Sequence, residues 1–349
     1  MMKIDEYNYY LPPALIANSP KKPRSHCRLL VNKNHSDEIV HDHFYNLNQY
    51  LNPRDLLIFN DSKVFPARLI GKKKTGGKVE ILLLEENGIF WQVLIGGKVS
   101  AGDEISFSES LLCYIVELFG KEAKVKFNSS GANFWCQVNK LGKTPIPPYI
   151  KNTPLSEKSL RREYQTVYAK LPGSAAAPTA GLHFSKKLIG ELEHQGVEIA
   201  TINLAVGLGT FAPVSEENIR RKKLHREKFQ IPYSTVKKIN KTKKAGSKII
   251  AVGTTTVRAL ESASQKILSC KKEISGSTDL FIQPGFEFKI IDGLITNFHL
   301  PRSSLMILVT AFLQFRGEKD GRKKLLELYK IASEKKYRFY SFGDAMMIL

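Results

Sequence analysis

Between residues 64 and 149 short stretches of β-formers are cut at near-even intervals by turn residues, and this block constrains the fold more than any other feature of the chain. The stretches are Val79–Leu84, Ile89–Ile95, Glu104–Phe107, Cys113–Phe119 and Ala123–Phe127. They are bounded by Gly76–Gly77, Asn87–Gly88, Gly96–Gly97, Gly102–Asp103, Gly120–Lys121 and Ser129–Gly131. Strands at this spacing, with almost no helical period, predict a small antiparallel barrel or sandwich. Asn87–Gly88 between two apolar runs is a hairpin signal, because both residues tolerate positive φ.

The flanks have a different character. Asp55-Leu-Leu-Ile-Phe59 reads as a buried strand running into the turn Asn60-Asp61-Ser62. After the proline-rich exit Thr144–Tyr149, helices and strands alternate. Ser185 caps a helix to about Glu193 with Gly196 as its stop, and Val197–Val206 follows as a strand. Ser234–Ala245 reads as a helix, Lys248–Val252 as a strand, and Thr254–Leu268 as one helix with apolar spacing at Val257, Leu260, Ala263 and Ile267. Another helix follows Pro301, capped by Ser303 or Ser304, and a last one covers about Lys319–Ser333. The expected fold is therefore α/β: a mixed-sheet domain built from residues 1–63 and 150–349, interrupted by an inserted antiparallel β-barrel over 64–149.

Composition narrows the function. The 349 residues carry 53 Lys+Arg against 33 Asp+Glu, a formal charge of +20, and 42% are hydrophobic. Such a chain buries a sizeable core, so it is no disordered basic tail. Basic clusters recur at Lys72–Lys74, Arg161–Arg162, Arg220–Lys223, Lys241–Lys244, Lys271–Lys272 and Lys335–Lys336. They suit a broad footprint on a nucleic acid, or else form the ordinary solvated surface of a lysine-rich protein. Four cysteines without a paired Cys-x-x-Cys argue against a zinc ribbon and for a reducing compartment. The start of the chain has no apolar signal core. The longest largely apolar run, Leu305–Leu313, has about half the ~20 residues of a membrane span. A cytoplasmic protein without a membrane is the expectation. There is no Walker A loop, His-Glu-x-x-His or Gly-x-Ser-x-Gly.

Several segments carry candidate chemistry. Pro172-Gly-Ser-Ala-Ala-Ala-Pro-Thr-Ala-Gly-Leu-His-Phe184 is small and uncharged, suited to close approach of backbone to a ligand, and ends on His183 before a helix. Val206-Gly-Leu-Gly-Thr-Phe211 follows a strand, where α/β folds bind ligands, or is simply a tight turn. Ile249-Ile-Ala-Val-Gly-Thr-Thr-Thr-Val-Arg258 runs from a strand through glycine to three threonines that open a helix, which fits an anion or carboxylate site. Arg258 and Glu261 then contact a ligand or pair on the helix surface. His225 and Glu227 share a face if extended. Asp292-Gly-Leu-Ile-Thr-Asn-Phe-His299 gathers Asp292, Asn297 and His299, and Ser341-Phe-Gly-Asp344 sits among aromatics that either stack on bases or pack in the core.

Nine stretches, in order along the chain, match one family. They are Tyr9–Ala17, Arg28–Val31, Phe59-Asn-Asp-Ser-Lys-Val-Phe-Pro-Ala-Arg68, Tyr164-Gln-Thr-Val-Tyr168, Ala176–Phe184, Gly207-Leu-Gly-Thr-Phe211, Ala251–Arg258, Thr296–Pro301 and Tyr337–Met346. The chain resembles the S-adenosylmethionine:tRNA ribosyltransferase-isomerase family of queuosine biosynthesis. The resemblance implies an α/β domain with an inserted barrel and no metal or other cofactor. It implies S-adenosylmethionine as ribosyl donor and 7-aminomethyl-7-deazaguanine, at the wobble position of a tRNA with a queuosine-type anticodon, as acceptor. Epoxyqueuosine-tRNA, adenine and methionine are the implied products. The acid/base residues it suggests are His183, His225, Asp279, His299 and Asp344. Gly253, Thr254, Thr255 and Arg258 would hold the methionine carboxylate or ribose, and Gly207, Gly209, Thr210 and Phe211 the adenosine. Asp61, Arg68, Tyr164, Gln165, Pro178, Thr179, Glu227 and Asn297 complete the substrate-binding set.

The match departs at two places. Asn203-Leu-Ala-Val-Gly207 has Ala205 where the family has histidine, and Ser277 stands in place of a tryptophan before Thr278–Asp279. A non-catalytic RNA-binding paralogue is the alternative these departures raise, and an ordinary methyltransferase using the same donor is a second rival.

Overall fold

The computed structural model describes residues 2–33, 38–207 and 214–349. Asp55 starts the central strand Leu56–Asn60 by accepting hydrogen bonds from the backbone N–H of Asn52 and of Lys248, which sets it in register with the neighbouring strand Ile249–Val252. All five residues of Leu56–Asn60 are buried, as expected for a strand covered on both faces. Four parallel strands form the middle of a nine-stranded sheet, in the order Glu198–Leu204, Leu56–Asn60, Ile249–Val252 and Gly293–Asn297. On one side the sheet continues antiparallel through Lys223–Ile231 to Ile274–Leu280. On the other, Ala345–Ile348 pairs antiparallel with Gly293–Asn297 and parallel with Arg28–Asn32, and Ile39–His43 forms the edge. The sheet is therefore mixed.

Its two faces bury separate cores. One packs Leu56, Ile58, Ala251 and Leu294 against the helices Tyr233–Lys244, Thr254–Ser262, Ser304–Phe315 and Gly321–Glu334. The other packs Leu57, Phe59, Ile250 and Ile295 against Phe44, Phe184, Leu188 and Leu192.

The strand-and-turn block folds as a closed six-stranded antiparallel barrel, ordered Glu122–Phe127, Phe90–Gly96, Lys78–Asn87, Arg68–Lys73, Glu104–Ser106 and Leu112–Phe119. The hairpin signalled there forms one residue on: Asn87 ends its strand paired with Phe90, and Gly88, at φ 65°, makes the turn with Ile89. The block also holds a helix that the strand reading omits, Gly131–Leu141, which drives Phe134 and Val138 into the barrel core. It ends at Gly142, where a Cβ would lie 2.0 Å from the Pro66 carbonyl oxygen, so only glycine fits. The single helix expected over Thr254–Leu268 is two, Thr254–Ser262 and Ser264–Ser269. Ser262 Oγ donates back to the Ala259 carbonyl and Ala263 N–H bonds Leu260 at i−3, which tightens and breaks the turn.

Candidate active site

The parallel strands end together at Asn60, Leu204, Val252 and Asn297, the edge where open α/β sheets bind ligands. Buried Asn60 organises that edge. Its Oδ1 accepts from Leu204 N–H and its Nδ2 donates to the Leu204 carbonyl and to Thr255 Oγ1. Gly253 lies at φ 91° as it turns strand into helix, a conformation side-chain-bearing residues rarely adopt. Behind this edge is a cavity of about 40 Å³ lined by Ala177, Pro178, Thr179, Ala180, Val206, Gly253, Thr254, Thr255, Thr296, Asn297, His299 and Leu305. Seven candidate residues from three separate segments meet there. Thr296, Val206 and Leu305 join them without having been singled out, although Thr296 lies inside a matching stretch.

Two buried histidines underlie the cavity. Asn297 Nδ2 donates to the Tyr340 carbonyl and to His183 Nε2, at 3.1 and 3.0 Å, while its Oδ1 accepts from Thr179 Oγ1 at 3.1 Å. Since Nε2 accepts, His183 carries its proton on Nδ1 and donates it to Cys27 Sγ at 3.2 Å. Burial pushes the His183 pKa down to about 3, with Arg338 and Arg24 adding to the shift, and pushes the Cys27 thiol well up. His183 is thus a neutral imidazole with both nitrogens engaged. His299 is also driven down to about 3 by burial; its Nε2 lies 2.7 Å from Thr296 Oγ1, and among the described residues Nδ1 has no partner.

A second, larger cavity of about 660 Å³ opens between barrel and sheet, within the size range of small-molecule sites. The barrel contributes Phe65, Trp91, Gln92, Glu85, Glu86, Glu122 and Trp135; the sheet side contributes Gly173, Ala205, Val206, Gly207, His225, Glu227 and Lys228. Val206 lines both cavities, so they adjoin. Lys228 Nζ meets Glu85 across the cleft at 2.6 Å. His225 is exposed at the cleft wall.

Glu227 and Arg258 form a buried ion pair beside the cleft. Arg258 Nε also donates to the Leu280 carbonyl, and Glu227 Oε1 accepts from Gly207 N–H at 3.1 Å. Arg258 therefore spends its charge on Glu227 and positions the start of the glycine loop rather than presenting a guanidinium to a ligand. Gly209, Thr210 and Phe211 lie outside the described residues.

Other candidates stand away from both cavities. Asp344 is buried and accepts from the backbone N–H of Arg28 and Arg338, which ties the last strand to the preceding turn. Asp279 pairs with Lys223 at 3.1 Å. Gln165 exchanges two hydrogen bonds with the backbone of Val64, Tyr164 packs on Phe342, and Arg68 bonds the Ile146 carbonyl and Glu80. Asp61 accepts from Asn203 Nδ2. Ala205 lines the cleft, while Ser277 is exposed on the outer strand. Among the described residues no group of three or more His, Cys, Asp or Glu side chains is arranged to hold a metal ion, and no helix is long and apolar enough to cross a membrane.

A cavity at the carboxyl edge of a mixed sheet, opening to a cleft under a closed barrel, defines an α/β ligand-binding enzyme with an appended barrel. The family model described as "Queuosine biosynthesis protein" matches residues 4–348. S-adenosylmethionine:tRNA ribosyltransferase-isomerases of Carboxydothermus hydrogenoformans and Thermotoga maritima are 50% and 47% identical, each with 100% of both chains covered. The crystal structure of an S-adenosylmethionine tRNA ribosyltransferase from Thermotoga maritima superposes with a TM-score of 0.56 and 36% identity, over 99% of this chain and 100% of that one. The chain belongs to the S-adenosylmethionine:tRNA ribosyltransferase-isomerase family of queuosine biosynthesis, and its class is that of a tRNA-modifying transferase-isomerase. The relatives lend no support to a non-catalytic paralogue, despite Ala205.

Proposed function

We propose that the two adjoining cavities receive the two substrates of a ribosyl transfer. S-adenosylmethionine is the donor, and the acceptor is 7-aminomethyl-7-deazaguanine at the wobble position of a tRNA with a queuosine-type anticodon. The observation that carries this reading is the joining, through Val206, of the small cavity at the strand ends to the aromatic-walled cleft. About 40 Å³ admits one end of the donor at most, so the rest of it lies in the cleft with the acceptor base, against Phe65, Trp91 and Trp135. Residues 64–149 then act as an inserted unit that closes over residues 1–63 and 150–349, in the cytoplasm where tRNA is modified.

The chemistry asks for a base to take the C5′ proton made acidic by the sulfonium, a proton for departing adenine, a neutral amine, and a ring closure that expels methionine. His299 and His225 line the cavities and are the candidates for proton transfer. His183 acts through Asn297, as a positioning residue. Adenine release from S-adenosylmethionine, with and without tRNA carrying the precursor base, tests the reading. Release only with that tRNA is the expected result. S-adenosylhomocysteine in place of adenine and methionine would make the protein a methyltransferase instead.

A further inference from the structure

We propose that the outer face of the barrel, next to the cleft, binds unpaired nucleotides flanking the modified base by stacking them on Phe90 and Phe119 beside Lys124. The identity of the RNA rests on the function proposed above, but this surface takes no part in the reaction.

A groove of about 320 Å³ on the barrel is lined by Asn87, Phe90, Trp91, Gln92, Phe119 and Lys124. Trp91 and Gln92 also line the cleft, so groove and cleft share one strand, Phe90–Gly96, and run into one another. Lys124 Nζ lies 4.2 Å from the centroid of the Phe90 ring, a ready-made cation–π pair. Phe119 is 56% exposed. A single exposed apolar side chain needs no explanation. Two aromatic rings and an ammonium sharing a groove are the parts of a single-strand platform, where bases stack on the rings and a cation meets the phosphate.

The charge distribution bears on how that occupant is held. Residues 68–127, which hold the barrel strands, carry nine Lys and Arg against eight Asp and Glu, so the excess of 20 lies almost wholly elsewhere. The barrel cannot hold RNA by its field alone and must grip it by stacking. Of the nearby acids, Glu85 pairs with Lys228 and Glu122 accepts from Gln92 Nε2 at 2.6 Å, while Glu86 stays exposed at the cleft. Glu117 faces Lys124 in the strand register and tempers its charge. Unstacked loop bases have open faces for these rings, whereas a duplex hides them.

Both tryptophans of the chain, Trp91 and Trp135, line the cleft, so intrinsic fluorescence reports RNA entering it. The probe is an RNA hairpin of the anticodon arm with an unmodified wobble guanine, titrated into the full-length protein. The expected result is a Kd weakened about tenfold or more in the double variant Phe119→Ala/Lys124→Ala, with an unchanged thermal midpoint. The slope of log affinity against log salt should fall by about one. Phe119→Trp, which keeps a ring there, should retain wild-type affinity. A double variant within twofold of wild type, or an equal loss for a fully paired hairpin, overturns the proposal. A changed sedimentation coefficient with unchanged RNA affinity also overturns it, and reassigns the groove to contact between copies. Adenine release by the wild type tests the reaction separately. An inactive wild type with the expected binding loss leaves this surface standing, and an active one indifferent to both substitutions ends it alone.

Discussion

Acidification should destabilise this protein chiefly through two buried imidazoles. His183 and His299 are each held at about 3 by burial, against an ordinary value near 6.5. Folding keeps both rings neutral, so below pH 6.5 the unfolded chain binds protons that the folded chain refuses. Stability contributed by each ring is whole above that value and declines as pH falls towards 3. At about 1.4 kcal/mol per unit, each ring costs about 2 kcal/mol at pH 5, and the pair about 4, out of the roughly 5–15 kcal/mol of a typical fold. The assay is urea unfolding at half-unit steps from pH 8 to 5, above the ordinary carboxylate range, with the His183 variant separating the imidazole contribution from that of buried Glu261, whose pKa burial raises. His183→Gln should lower the slope of stability against pH by about 1.4 kcal/mol per unit between pH 6.5 and 5. Imidazole proton resonances of the wild type supply a second readout, with both rings neutral throughout that range. A titration midpoint near 6.5 for either ring in the folded protein, or an unchanged slope in the variant, refutes the reasoning.

Glu227→Gln leaves Arg258 charged and buried without its partner, and should cost about 3–5 kcal/mol in urea unfolding; a loss under about 1 kcal/mol would mean that the pair is hydrated. Gly142→Ala forces a methyl against the Pro66 carbonyl, with an expected loss of about 1–3 kcal/mol read from the thermal midpoint. Asn297→Ala strips partners from His183, Thr179 and Tyr340 at once; it should cost about 3 kcal/mol and raise KM for S-adenosylmethionine in the adenine-release assay. Unchanged KM would separate Asn297 from the donor.

Local signals were legible and long-range ones were not. Gly88 makes its hairpin turn because one residue decides the positive φ there, and Gly253 starts its helix for the same reason. No local pattern places Ala345–Ile348 between Gly293–Asn297 and Arg28–Asn32, since that neighbourhood is chosen by packing across hundreds of residues. The helix Gly131–Leu141 had its apolar stripe at Phe134, Val138 and Leu141, but the glycine turns ahead of it favoured a strand reading. In the site, a polar side chain that bonds a ligand and one that bonds backbone look alike in sequence. Gln165, Asp344 and Arg258 are of the second kind: each satisfies backbone groups or a buried charge. Trp91 and Trp135 went unread because their wall forms only when a barrel strand and the helix after the barrel meet Val206 and His225.

Within the proposed reaction, His299 and His225 are open to different proton roles. Burial lowers the His299 pKa and holds its imidazole neutral at pH 7, which disfavours it as the donor to departing adenine. The same burial weakens it as a base, and its Nδ1, the nitrogen without a protein partner among the described residues, is the atom that would accept a proton. A sulfonium bound nearby lowers its proton affinity further, so any proton it takes from C5′ must move on quickly. His225, exposed at the wall of the adjoining cleft, is open to water and to the side proposed for the acceptor. A donor on the cleft side and an acceptor on the strand-end side would keep the two transfers apart, and neither would require His183 to leave its neutral, doubly bonded state.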